Sequence, residues 1–110
     1  MKDAEKNRNR EKLETLVAQL SRFSELVRQV IHRRSNHLYY PEVGPDPRPE
    51  IHTLAAIYAP EIRERFNDIC ALYGETVERI ANPTPDRFEP IYARIRELQS
   101  ELKEKVLKLS

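Results

Sequence analysis

The chain has few of the residues that build disulfides, glycine-rich loops or large aromatic cores. Its 110 residues include two glycines, one cysteine and no tryptophan. Cys70 has no second cysteine to pair with in the chain, which is typical of a reducing compartment. Two isolated glycines cannot form the glycine-rich loop that cradles phosphates, so the common nucleotide-binding motifs are excluded.

Long apolar runs and strand-like alternation are also missing. No stretch approaches the ~20 apolar residues that a membrane-spanning helix needs. The first eight residues lack the apolar segment of a secretory signal. We therefore expect a cytoplasmic protein without a membrane span. A chain of 110 residues suits one domain, covering residues 1–110.

Charge is abundant but almost balanced. Charged residues make up 34% of the chain and the net charge is +1, which gives no overall bias toward nucleic acid or membranes. The distribution is uneven, because residues 1–37 carry nine basic and five acidic residues, whereas residues 38–83 carry four basic and eight acidic. The first segment is therefore the basic one, and it is the part that could bind nucleic acid.

Apolar residues recur at helical spacing in three long segments separated by prolines. The predicted helices cover about residues 3–38, 50–81 and 85 to near the C-terminus. In the second segment, Pro60 predicts either a kink or a short separate helix that ends before Ala59. The pattern predicts an all-α fold, an antiparallel up-down-up bundle of three long helices. Residues 1–10 are predicted to fray and residues 39–49 to form a proline-rich connector. Rods this long and thin often bury a second face by self-association, which leaves a homodimer open.

Ten apolar residues are predicted to share one buried core, because they fall on the apolar stripes of the three segments. They are Leu16, Leu20, Phe23, Val27, Ile62, Phe66, Ile69, Ile95, Leu98 and Leu102.

The end of the first helix combines cations with tyrosines. Seven residues are predicted to contact a partner: Arg28, His32, Arg33, Arg34, His37, Tyr39 and Tyr40. Four prolines follow and stiffen the chain. Arginine and tyrosine on a rigid turn are typical of hot spots in protein interfaces, and they can also grip phosphate and stack on a base. A structural alternative is that the cations stabilise the C-terminus of the helix through its dipole.

An acidic stripe lies along one face of the second segment. Its members are Glu61, Glu64, Asp68, Glu75 and Glu78. Its two E-x-x-E units resemble those of the all-helical nucleoside triphosphate pyrophosphohydrolases. The resemblance implies Mg²⁺ held by carboxylates and a hydrolase activity. On a helical wheel, however, the stripe lies opposite the apolar stripe, and a metal site in a bundle core needs inward carboxylates. We therefore expect this stripe to be a solvated face.

No arrangement of nucleophiles or ligands indicates catalysis or metal binding. His32 and His37 are five residues apart and diverge on a helix, and no Cys or His partner stands at ligand spacing. Cys70 is predicted to be a small structural hydrophobe. We expect no catalytic residue, no cofactor and no metal. The leading hypothesis is a non-enzymatic protein interaction module, an adaptor, inhibitor or assembly subunit. Nucleic-acid binding and a pyrophosphohydrolase-like activity rank behind it.

The third helix is predicted to begin at Thr84, with Pro85 at its first position. If Thr84 is the N-cap, Thr84→Ala should lower the free energy of unfolding by about 1 kcal/mol, because one orphan backbone N–H loses its acceptor. Urea denaturation of the variant would measure this loss. An unchanged unfolding midpoint would place the cap elsewhere.

Overall fold

The structure is a computed structural model that describes residues 2–35, 45–78 and 85–109. Four α-helices run through these ranges: α1 (Lys2–Ser35), α2 (Arg48–Tyr58), α3 (Arg63–Tyr73) and α4 (Glu89–Lys108). Short 3₁₀ turns cover Pro60–Ile62 and Pro85–Arg87, and a π-helical turn covers Gly74–Glu78. Within the described ranges there is no strand. The all-α prediction is confirmed.

The predicted second helix is two helices, because the chain turns back near Pro60. α2 ends at Tyr58, and Ala59 leaves the helix with φ −151° and ψ 62°. The guanidinium of Arg48, the first residue of α2, lies 5.2 Å from the ring centroid of Tyr73, the last residue of α3. A kinked rod of 26 residues would hold these two residues more than 30 Å apart at 1.5 Å per residue. Of the two outcomes predicted at Pro60, the structure therefore shows the short separate helix that ends before Ala59, and not a kink in one continuous helix.

The last helix also begins later than the sequence pattern suggests. α4 starts at Glu89 with Pro90 in its first turn, and Pro85–Arg87 forms a separate 3₁₀ turn. An α-helix starting at residue 85 would place Pro90 in its interior, where the ring clashes with the preceding turn and a hydrogen bond is lost. In the first turn the missing N–H costs nothing. Thr84 itself lies outside the described residues.

Contacts between helices define the relative directions of their chains. The Gln99 amide on α4 donates to the Val17 carbonyl at 3.0 Å and to the Ser21 hydroxyl at 2.7 Å. Toward the C-terminus of α4, Lys103 and Leu107 lie beside Glu14 on α1. Residue numbers fall along α1 as they rise along α4, so these two helices are antiparallel.

The short helices α2 and α3 contact α1 and α4 through polar side chains. On α2, Arg48 lies over Phe23 of α1, and Glu50, two residues further along α2, lies against Gln19, which is one turn earlier on α1. The amide of Gln19 donates to the Glu50 carboxylate and ties α1 to the first turn of α2. On α3, Arg65 forms an ion pair with Glu101 of α4, with N and O 2.6 Å apart. α2 is therefore antiparallel to α1, and α3 packs beside α4.

One continuous apolar core joins all four helices. All ten residues predicted for the core are buried, including Phe23 and Phe66, which have no exposed surface. The two rings meet edge to face with centroids 5.7 Å apart. Burial along α1 begins at Leu13, and residues 4–8 are exposed. α1 is helical from Lys2, so whether residues 1–10 fray in solution stays a prediction.

Removing the Phe66 ring should destabilise the fold more than removing any exposed side chain. Phe66→Ala should lower the free energy of unfolding by about 3–5 kcal/mol, because it leaves a cavity between α1 and α3. Urea denaturation measures the change. The matched control is Ile57→Ala, since Ile57 is 65% exposed and should lose well under 1 kcal/mol. Equal losses in the two variants would contradict the core described above.

Candidate interaction surface

Three of the predicted partner residues lie in the last turns of α1. Arg28, His32 and Arg33, together with Gln29, line one recess of about 400 Å³, here called the α1 recess. Arg28 and His32 are four residues apart, as are Gln29 and Arg33, so the four side chains share one helix face. Arg28 and His32 are exposed and Arg33 is half-buried. The helix therefore presents two guanidinium groups and an imidazole together at its C-terminal end.

Acidic and aromatic neighbours surround Arg28. Its guanidinium forms an ion pair with Glu25, one turn earlier on α1, and the amide of Gln29 donates to the same carboxylate at 3.2 Å. Tyr92 of α4 is close enough for Arg28 to affect it: burial raises the pKa of the Tyr92 phenol, and the charge on Arg28 opposes that rise. The recess is therefore positive but partly neutralised on the side of Glu25.

The other four predicted partner residues belong to the part of the chain beyond the α1 recess. The side chain of Arg34 lies outside the described residues, as do His37, Tyr39 and Tyr40. That they join Arg28, His32 and Arg33 in one surface stays a prediction.

The acidic stripe faces away from the core. Glu61, Glu64, Asp68 and Glu75 are exposed, and the side chain of Glu78 lies outside the described residues. The ammonium of Lys105 contacts the Glu61 carboxylate at 2.8 Å, and this hydrogen bond holds the pKa of that carboxyl below its usual range. The solvent-facing placement agrees with the helical-wheel analysis for these four residues.

Metal ligands do not converge in the described ranges. No group of three or more His, Cys, Asp or Glu side chains there could hold an ion. The His52 ring instead packs edge to face on Phe66, with centroids 4.9 Å apart. His32 lies in the α1 recess, far along the chain from His52, and His37 is outside the described residues.

Sequence reasoning missed the role of Arg48 and Asp46. The Asp46 carboxylate accepts two hydrogen bonds from Arg48 at 3.0 Å and a third at 2.7 Å, and it also accepts the Arg48 backbone N–H. The guanidinium lies over the Tyr73 ring. An aspartate two residues before an arginine, at the start of a helix after proline, is the signal that could have identified this pair.

Sequence reasoning also missed an apolar groove between α1 and α4. Val17 and Ala18 line it on α1, and Val106 and Leu107 line it on α4. Leu107 is 72% exposed. It falls outside the apolar stripe of the last segment, so helical periodicity gave it no role.

None of the described helices carries an apolar stretch of the length that crossing a bilayer requires.

Comparison with known proteins finds no family model, no curated protein and no solved structure that matches this chain.

Cys70 has the environment of a structural thiol. Burial raises the pKa of the Cys70 thiol to about 11, although the nearby Arg48 charge opposes this. At pH 8 such a thiol is only ~0.1% ionised, whereas a free cysteine with a pKa of about 8.5 is about a quarter ionised. Iodoacetamide should therefore label the folded protein roughly two-hundredfold more slowly than the urea-unfolded protein.

The pH dependence of labelling provides a second check on Cys70. Between pH 8 and pH 10 the rate for the folded protein should rise about tenfold per pH unit, because only the thiolate reacts. The rate for the unfolded chain should level off near pH 9–10. Equal labelling rates in the two states at pH 8 would contradict the raised pKa.

Proposed function

We propose that this protein is a non-enzymatic interaction module that binds a protein partner at the end of α1. The observation that carries the proposal is the α1 recess, where Arg28, His32 and Arg33 converge on one face. The partner surface that fits it carries carboxylates, because arginine presents a planar fork of donors that matches them. An adaptor, an inhibitor and an assembly subunit are the three forms this function could take.

The architecture supports this use of the recess. We infer that the four helices form an antiparallel bundle of alternating direction, in place of the three-helix up-down-up bundle predicted from the sequence. A bundle of this kind presents the end of α1 on a rigid scaffold, since Val27 is fully buried and Ile31 is 8% exposed. Side chains held on a rigid helix lose less entropy on binding than those on a loop. A cytoplasmic location, the prediction from the single cysteine, would be compatible with such a role.

Nucleic-acid binding by α1 is the second candidate, and its support is the excess of basic residues in residues 1–37. That excess is interrupted along the helix. Glu11 and Glu14 stand between the basic residues near the N-terminus and those near the recess, and Glu25 is paired with Arg28. A phosphate backbone favours a continuous positive surface. This interruption makes the protein partner the better-supported choice.

A hydrolase activity gains no support from the acidic stripe. Glu61, Glu64, Asp68 and Glu75 are all exposed, and Glu61 already contacts Lys105. A Mg²⁺ site for phosphate chemistry is ordinarily enclosed enough to exclude part of the solvent. We therefore do not assign a reaction to these residues.

The proposal predicts the effect of altering the recess. Arg33→Ala combined with Tyr39→Ala should weaken partner binding by about 30-fold or more, because two hot-spot side chains are lost. The partner is identified by affinity capture and mass spectrometry, purified, and titrated against each variant by calorimetry. The melting temperature should stay within a few degrees of the original.

The matched control keeps the Tyr39→Ala change and alters Arg22 in place of Arg33. Arg22→Ala combined with Tyr39→Ala changes an exposed arginine on the same helix and should bind more tightly than the Arg33 variant. If both double variants bind the partner as the original protein does, the end of α1 is not the working surface. Binding to a short DNA or RNA duplex, with a steep loss of affinity as salt rises, would favour the second candidate.

A further inference from the structure

An open apolar groove lies between α1 and α4. Val17, Ala18, Val106 and Leu107 line it, and its volume is about 500 Å³. Val17 and Val106 are half-buried, whereas Ala18 and Leu107 are exposed. A leucine that is 72% exposed beside an open apolar groove is the kind of surface that a partner covers.

Opposite charges stand on the two walls of this groove. Glu14 lies on the α1 wall and Lys103 on the α4 wall. Both side chains are exposed, and within the described residues neither takes part in an ion pair. Glu11, one turn before Glu14, is also exposed on α1. Among the residues that line the groove, the one charge on the α1 wall is therefore negative and the one charge on the α4 wall is positive.

We propose that a second copy of this chain covers the groove, with a two-fold axis that lies in the interface and runs parallel to α1 and α4. In that arrangement α1 of one copy faces α4 of the other at the same height. Glu14 of each copy then meets Lys103 of the other, and each Leu107 lies over the apolar groove opposite. An interface of two-fold symmetry must be self-complementary, and a surface with one acidic and one basic wall meets that condition.

The charge pattern selects this axis over the other two-fold axis in the same plane. An axis perpendicular to the helices would place α1 on α1 and α4 on α4. Glu14 would then face Glu14 of the second copy, and Lys103 would face Lys103. Like charges placed opposite each other in an interface are unfavourable.

The size of the shared face indicates a reversible dimer. α4 has 20 residues, and its overlap with α1 is therefore about 30 Å long. Two helices side by side are about 20 Å wide. Each copy could bury roughly 600 Å², and the pair about 1,200 Å², which is the lower end of the range for specific interfaces. We expect a dissociation constant in the micromolar range.

Two charge reversals test the axis directly. Glu14→Lys gives both walls a positive charge, and Lys103→Glu gives both walls a negative charge. Sedimentation equilibrium should show that each variant alone dimerises at least tenfold more weakly than the original chain. An equimolar mixture of the two variants should dimerise again, because every facing pair then has opposite charges.

Two further comparisons use matched positions on other faces. Glu64→Lys and Arg63→Glu change the net charge equally on exposed residues of α3 and should leave dimerisation of each variant within about twofold. Leu107→Asp should weaken the dimer at least tenfold, whereas Ile57→Asp should not, although Ile57 is also a highly exposed large apolar residue. Far-UV circular dichroism confirms that each variant is folded.

Three results would overturn the proposal. The original chain could stay monomeric up to about 0.5 mM, well above the expected dissociation constant. The mixture of the two charge variants could remain monomeric while the original chain dimerises. The dimer could also depend on Ile57 in place of Leu107, which would move the interface to another face. None of these results bears on partner binding at the α1 recess, so the two proposals fail separately.

Discussion

The ring of Phe23 connects the packing of three helices. It lies on α1 with no exposed surface, and its centroid is 5.7 Å from that of Phe66 and 5.6 Å from that of Tyr73 on α3. The Arg48 guanidinium of α2 lies 5.9 Å from the same ring. Aromatic pairs at these separations contribute beyond the area they bury. Because Phe23 is fixed between α2 and α3, the flanking stretches of α1 are positioned too, with the groove on one side and the recess on the other.

The turn between α2 and α3 depends on a side chain from α4. Lys105 donates to the Tyr58 carbonyl at 2.9 Å and contacts Glu61 at 2.8 Å. The first contact satisfies a carbonyl at the C-terminus of α2, where the helix dipole favours a cation. Backbone hydrogen bonds from Ala59 to Ala55 and from Ile62 to Ala59 complete the reversal. Lys105 thus links the C-terminal end of α2 to the 3₁₀ turn that precedes α3.

The apolar periodicity predicted which residues are buried but not how the second segment folds. Ile62, Phe66 and Ile69 have the same spacing in a kinked rod as in a helical hairpin, so the core prediction survives either fold. The choice between the two depends on contacts of Arg48 and Lys105 with residues distant in sequence, which a pattern along one segment does not contain. The start of α4, by contrast, depends on a local property. The ring of Pro90 excludes it from a helix interior, so this start could have been predicted from the sequence alone.

The difference between neighbours along one helix and contacts between helices also decides which candidate surfaces could be predicted. Arg28 and His32 could be grouped from the sequence because residues four apart on one helix are neighbours, and Arg33 stands in the same relation to Gln29. The α1–α4 groove could not, because Val17 and Leu107 come together only through the packing of two helices 90 residues apart in the chain. The candidate role of Leu107 depends on the groove that α4 forms with α1, and not on the neighbours of Leu107 along α4.

The two proposed surfaces have a joint consequence for affinity. A two-fold axis parallel to α1 places both α1 recesses at the same end of the dimer. A partner that carries two acidic sites could then engage both recesses, and its second contact would form at a high effective concentration. For such a partner, Glu14→Lys should weaken binding although Glu14 lies about four turns from Arg28 along α1. A partner with a single site should bind that variant as tightly as it binds the original chain, so the comparison of the two partners separates avidity from direct contact.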